Sequence, residues 1–163
     1  MHRVTLMFAM AVLAVQSVGA AADSWNKVRY MAGTIQAKVN PYDYNVTLTV
    51  TRDKIVLAFS PRPTVRLEPS KIVSISYGRE AQQRVSAVLD ASTTKQSQKS
   101  AFAPPDPPHL FGFLHPKDEL IGIVFKDQDG GTGAVLLQTV PGYKLAILGA
   151  LSMATGKSIE TAK

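Results

Sequence analysis

Residues 143–156, Tyr-Lys-Leu-Ala-Ile-Leu-Gly-Ala-Leu-Ser-Met-Ala-Thr-Gly, constrain the rest of the chain more than any other stretch. They have the length and residue types of a helix. Ile147, Leu148, Leu151 and Ala154 form one stripe at spacings of three and four, Leu145 and Met153 widen it, and Lys144 is the only charge. A helix so apolar must be covered. Apart from one short helical stretch, the chain between the leader and this helix offers short alternating strands to cover it. The expectation is therefore a single β-domain closed by one C-terminal helix.

A chain of 163 residues holds one domain with a core large enough to fold alone, and a hydrophobic content of 45% argues for a packed globule. The formal charge of +6 comes from 18 basic and 12 acidic residues. Those cations do not cluster: Arg52, Lys54, Arg62, Arg66, Lys71, Arg79 and Arg84 are spread over several expected elements. That argues against a nucleic-acid partner, which needs a basic strip, and for a solvated surface. The chain contains no cysteine, which excludes disulfides, thiol catalysis, cysteine metal sites and a lipid-modified N-terminal Cys.

The first residues have the three parts of a secretory signal peptide. Met1-His-Arg3 is a positive start, Val4 to Val15 is apolar apart from Thr5, and Ala20-Ala-Ala22 places small residues at a cleavage site. Cleavage is expected after Ala22, with Ala20 as second choice. The domain plan is then a signal peptide over 1–22, a single domain over 23–157 and a polar tail over 158–163. Removing 1–22 takes away Arg3 alone among the charged residues, so +6 becomes +5. An uncleaved anchor is the competing reading, since Val4 to Ala22 is just long enough to span a bilayer. Both place the domain outside the cytoplasm, in the periplasm or beyond the cell.

Along the remaining chain, Lys27 to Val39 is expected as a long strand whose apolar phase shifts by one residue at Gly33, the mark of a bulge. Asn40 to Asp43 is a turn. Val46, Leu48 and Val50 alternate with Thr47, Thr49 and Thr51. After a tight turn Ile55, Leu57 and Phe59 alternate back, so the two runs predict a hairpin. Ser60-Pro-Arg-Pro63 breaks the ladder, because proline has no N–H to give it. Val65 and Leu67 mark a short fourth strand, and Ile72 to Tyr77 a fifth. From Arg79 to Asp90 the period changes, with Ala81, Val85, Val88 and Leu89 on one helical face. Ser, Thr, Gln, Lys and then Pro fill 93–108, a flexible loop that becomes stiff and extended at Ala103 to Pro108. Leu110 to Leu114 is an edge strand or a packed loop. Leu120–Phe125 and Ala134–Val140 form a second hairpin around Asp127-Gln-Asp-Gly-Gly131. Pro141-Gly142 starts the C-terminal helix and Gly156 ends it.

About seven short antiparallel strands followed by one apolar helix resembles the order of the pleckstrin-homology-like superfold and its GRAM-type relatives. The runs Leu48-Thr-Val-Thr-Arg-Asp-Lys-Ile-Val-Leu57 and Pro69-Ser-Lys-Ile-Val-Ser-Ile-Ser-Tyr-Gly78 are similar to strand pairs of that fold. The resemblance implies a mainly β (α+β) domain, a bent antiparallel sheet or partly open barrel plugged by the helix, with the 79–90 helix as an insertion. The runs Arg29-Tyr-Met-Ala-Gly-Thr-Ile35, Ser76-Tyr-Gly-Arg-Glu-Ala81, Ile121-Gly-Ile-Val-Phe125 and Ala134-Val-Leu-Leu-Gln138 also look like an uncharacterised family of exported bacterial proteins. That likeness implies export and fold, and no activity. Pleckstrin-homology-like domains often bind phosphoinositides through an early basic hairpin, and Arg52 and Lys54 occupy a comparable turn. Two basic residues in a turn are common, and an exported bacterial protein would not meet those lipids.

Few residues point to chemistry. His109 and His115, near Asp106, are a candidate metal or hydrolytic set with no fourth ligand in sight. Asp127-Gln-Asp-Gly opens like a calcium loop, but Gln138 stands where the bidentate Glu is required. Gly156-Lys-Ser158 echoes a phosphate loop at the wrong end of a helix. Tyr77, Arg79 and Glu80 gather where a strand turns into a helix at Gly78, and are the candidate ligand-binding residues. The expected function is an exported, non-catalytic module that recognises a protein or peptide of the cell envelope, without cofactor or metal, along a sheet edge or beside the C-terminal helix. One alternative is a small hydrolytic or metal-assisted enzyme around His109, His115 and Asp106. Another is a peripheral binder of anionic membrane.

Overall fold

The computed structural model describes residues 22–40, 42–61, 63–97 and 119–162. Residues 1–21 of the expected leader, 98–108 of the expected loop, and the run 110–114 lie outside the described residues. Eight strands form one bent sheet that does not close. They are β1 (Asp23–Gly33), β2 (Val46–Val50), β3 (Ile55–Phe59), β4 (Thr64–Leu67), β5 (Ile72–Tyr77), β6 (Leu120–Lys126), β7 (Thr132–Thr139) and β8 (Ile159–Thr161). Their spatial order is β4-β3-β2-β1-β7-β6-β5-β8. All neighbours run antiparallel except β8, which lies parallel to β5 and makes the sheet mixed. With helix α2 (Lys144–Thr155) after the seventh strand, the architecture is that of a mainly β domain consistent with a pleckstrin-homology-like fold.

The alternating runs produce the hairpin their pattern predicts. Val46 faces Phe59, Leu48 faces Leu57 and Val50 faces Ile55, and all six side chains are buried. Thr51 closes the turn: its N–H donates to the Lys54 carbonyl at 2.9 Å, and its hydroxyl accepts from the Lys54 N–H at 3.1 Å. The first strand departs from expectation. It spans Asp23–Gly33 rather than 27–39, and its register slips between Trp25 and Val28 and again between Tyr30 and Ala32. Gly33 ends the strand instead of bulging it. Ile35, Ala37 and Val39 then pack on the core from outside the ladder. That excursion is tied down by buried Asn45, which accepts from the Tyr30 N–H at 2.9 Å and donates to the Asn40 carbonyl at 2.7 Å.

Two apolar clusters lie on opposite faces of the sheet. The larger gathers inward residues of β1 to β7, among them Leu48, Leu57, Ile75, Ile123 and Leu137, around Ile147, Leu148 and Leu151 of α2. The C-terminal helix is therefore the plug that its composition demanded. It stops at Gly156, whose φ of +68° takes the left-handed turn and whose N–H donates to the Ser152 carbonyl at 2.8 Å. Leu145 and Met153 were expected to widen the buried stripe. Instead they are 78% and 87% exposed, on the outer side of the helix. Pro141–Tyr143 forms a short 3-10 turn that leads into α2.

The smaller cluster sits on the other face, where helix α1 (Arg79–Ser97) lays Ala81 and Val85 against Ala32, Leu120, Val124, Ala134 and Leu136. Sandwiched between two helices, β6 is buried from Leu120 through Phe125, and β7 from Gly133 through Leu137. This accounts for their unbroken apolar runs. Gly122 makes the close approach: a Cβ there would lie 3.0 Å from the Cα of Ala81. Helix α1 runs seven residues past Asp90, through the stretch expected to begin the loop. The 158–163 tail likewise supplies a strand, β8, rather than free chain. Among the described residues no helix is long and apolar enough to cross a membrane.

Candidate functional site

Tyr77, Arg79 and Glu80 do not converge. Tyr77 ends β5 beside Glu119, just before β6, and Lys144, the first residue of α2. Its hydroxyl donates to Glu119 Oε2. Lys144 Nζ donates to the same hydroxyl at 3.2 Å, pairs with Glu119 at 3.2 Å, and lies 5.0 Å from the centre of the Tyr77 ring. Burial, then the hydrogen bond to Glu119, raises the Tyr77 pKa. The hydrogen bonds to Tyr77 and Glu119 raise that of Lys144. The three groups bond to one another in a closed triangle. They make a clasp where α2 departs from the sheet.

Arg79 is exposed on the first turn of α1, beside Gln82, Gln83 and Ser86 in a shallow depression. Glu80 faces its own helix: its carboxylate accepts from Arg84 at 2.7 Å. Arg84 also reaches Glu160 of β8 at 2.8 Å, near enough to pair though out of line for a hydrogen bond. Glu80 thus helps pin the terminal strand. Both pairs are partly solvated and contribute little energy. Asp127 serves the expected hairpin turn, its carboxylate accepting from the Gly131 N–H at 2.6 Å. His109, His115 and Asp106 lie outside the described residues, and among the described ones no three His, Cys, Asp or Glu gather as metal ligands.

One edge of the sheet is a candidate recognition feature. β4 bonds to β3 through one side only. The Phe59 N–H donates to the Pro63 carbonyl at 2.9 Å. Counting along the register from that pair, Val65 and Leu67 turn their backbone groups toward β3, and Thr64 and Arg66 turn theirs outward. Beyond that edge lies a cleft of about 200 Å³ where the sheet fails to close. Val65, Arg66 and Leu67 form one wall, and Phe125, Lys126 and Asp127 the other. The prolines at 61 and 63 were the sequence signal for this edge. The opposite wall, some sixty residues further along, had none.

No family model matches this chain, and no curated protein matches it. Among solved structures it is similar to the Spt16D Pob3N heterodimer, at 10% sequence identity and a TM-score of 0.45 over 87% of this chain. The match covers 54% of that chain, so this protein spans about half of its neighbour's length.

Proposed function

We propose that this chain is an exported, non-catalytic binding module that recognises an extended segment of another cell-envelope protein by adding it as a strand to β4. The observation that carries the reading is the outward-facing backbone of Thr64 and Arg66 at the mouth of an amphipathic cleft. Main-chain hydrogen bonds supply affinity in such an arrangement, and side-chain pockets supply selectivity. The leader pattern in 1–22 and the likeness of the 29–35 and 76–81 runs to exported bacterial proteins support the location.

Two proline variants test it. Arg66→Pro removes an outward N–H and leaves the β3 ladder whole, whereas Val65→Pro removes a ladder bond. On this reading Arg66→Pro melts near the parent and loses partners recovered from envelope extract at micromolar bait, and Val65→Pro unfolds at lower temperature. Recovery of one unchanged partner set by the parent and by folded Arg66→Pro refutes strand addition. So does an empty pull-down with the parent chain.

A further inference from the structure

Away from the β4 edge, where β1 and β7 approach the turn that leads into α2, a cleft of about 220 Å³ is lined by Arg29, Tyr44, Glu119, Gln138, Val140 and Pro141, with Thr139. We propose that this cleft binds an organic monocarboxylate, with Arg29 as its anchor. The inference stands apart from the strand-addition reading.

Arg29 is half-buried and meets no carboxylate within ion-pairing distance among the described residues. Its Nε is shielded from water and has no acceptor there. NH1 has one weak acceptor, Gln138 Oε1 at 3.5 Å. The guanidinium carbon lies over the Tyr44 ring, 4.4 Å from its centre. A cation over an aromatic face is restrained by it, and the planar fork of an arginine's remaining donors suits a two-oxygen acceptor. An arginine kept partly out of water without a counter-ion is costly unless something else supplies the charge.

The carboxylate nearest at hand does not supply it. Glu119 lines the same cleft, but its oxygens are taken by Lys144 and Tyr77. Lys144 cancels Glu119, and Arg29 is left with one positive charge to be matched. A monoanion closes that account. A phosphate monoester, with a charge of about −1.5 to −2, brings excess negative charge toward Glu119. The apolar part of the lining, Val140, Pro141 and the Tyr44 ring, suits a hydrocarbon body next to the acid. A chain-terminal carboxylate on an apolar residue and a free small acid both have that chemistry.

The test is a titration of the full chain at neutral pH, followed by the Arg29 Nε–H resonance and the amides of Gln138 to Val140. Sodium benzoate is the first probe and phenyl phosphate its charge control. A hexapeptide ending in Leu, with a free or amidated C-terminus, is the second. Benzoate is expected to give saturable shifts. Arg29→Gln should weaken them by more than about tenfold, the loss expected when a charged hydrogen-bond donor is removed. Phenyl phosphate should bind more weakly than benzoate. A free-ended peptide that binds more tightly than benzoate, with its amidated form silent, assigns the site to chain termini; the reverse order assigns it to small acids. If Arg29→Gln does not fold, Tyr44→Ala carries the same test through a residue already 47% exposed. Non-saturating shifts, shifts unchanged in the folded variant, or phenyl phosphate binding as tightly as benzoate each overturn the proposal.

Discussion

Leu151 is 0% exposed and stands at the centre of the plug, so Leu151→Ala measures what α2 contributes to the domain. The substitution deletes three buried carbons, at about 0.8 kcal/mol for each in transfer free energy alone. Its neighbours come from both halves of the sheet, which cannot collapse into the space without breaking ladder bonds. The residual cavity therefore adds to the transfer cost, and the total is about 3–4 kcal/mol. For a domain of this size that is about 10 °C in melting temperature. The assay is denaturant unfolding followed by the fluorescence of Trp25, which belongs to the same core cluster. Met153→Ala on the same helix is the control. That side chain is 87% exposed and should change stability by less than about 0.5 kcal/mol. A loss below about 1 kcal/mol at Leu151 would refute the plug, because a buried Leu in a rigid site costs more. Equal losses at both positions would show that the helix is held by something other than its inward stripe.

Gly33→Ala should cost about 2 kcal/mol in the same assay, because φ there is +155° and a Cβ would meet the Ala134 carbonyl oxygen at 2.4 Å. Stability should fall as pH rises past 10. Burial raises the pKa of Tyr30, and burial with the Glu119 hydrogen bond raises that of Tyr77. Below pH 10 both states keep the phenol protons; above it the unfolded chain ionises first and gains. Tyr30→Phe should flatten part of that alkaline loss in denaturant midpoints, while costing about 1 kcal/mol at neutral pH for the bond to the Ile35 carbonyl. Truncation after Lys157 should cost little stability but leave β5 with an open edge. The expected result is concentration-dependent association by light scattering, and a strictly monomeric truncated chain would count against β8 as the guard of that edge.

What could be read beforehand was whatever burial writes into periodicity. The β2–β3 hairpin showed itself because one face is buried and the other carries threonines. Helix α1 was visible up to Asp90 because Ala81 and Val85 face the sheet. From Ala91 to Ser97 the sequence is Ala-Ser-Thr-Thr-Lys-Gln-Ser, so no apolar period marks the last two turns. In α2 almost every position is apolar, and periodicity could not separate the buried Leu148 from the exposed Leu145 and Met153. Strand β8 pairs through its backbone, with Ile159 its only apolar residue, and leaves almost no trace in composition. The clasp was hidden for another reason. Tyr77 was noticed as a residue at a corner, but Glu119 and Lys144 reach it from 42 and 67 positions away. Arg29, Tyr44 and Gln138 were likewise unremarkable until the fold brought them together.

Helix α1 enters between two neighbouring antiparallel strands, so the strand order would be the same without it. The strands themselves would not tolerate its loss. Leu120, Val124, Ala134 and Leu136 would all be turned out into solvent. The chain cannot shed this insertion and revert to a plain sheet with one helix, because β6 and β7 have become dependent on a lodger.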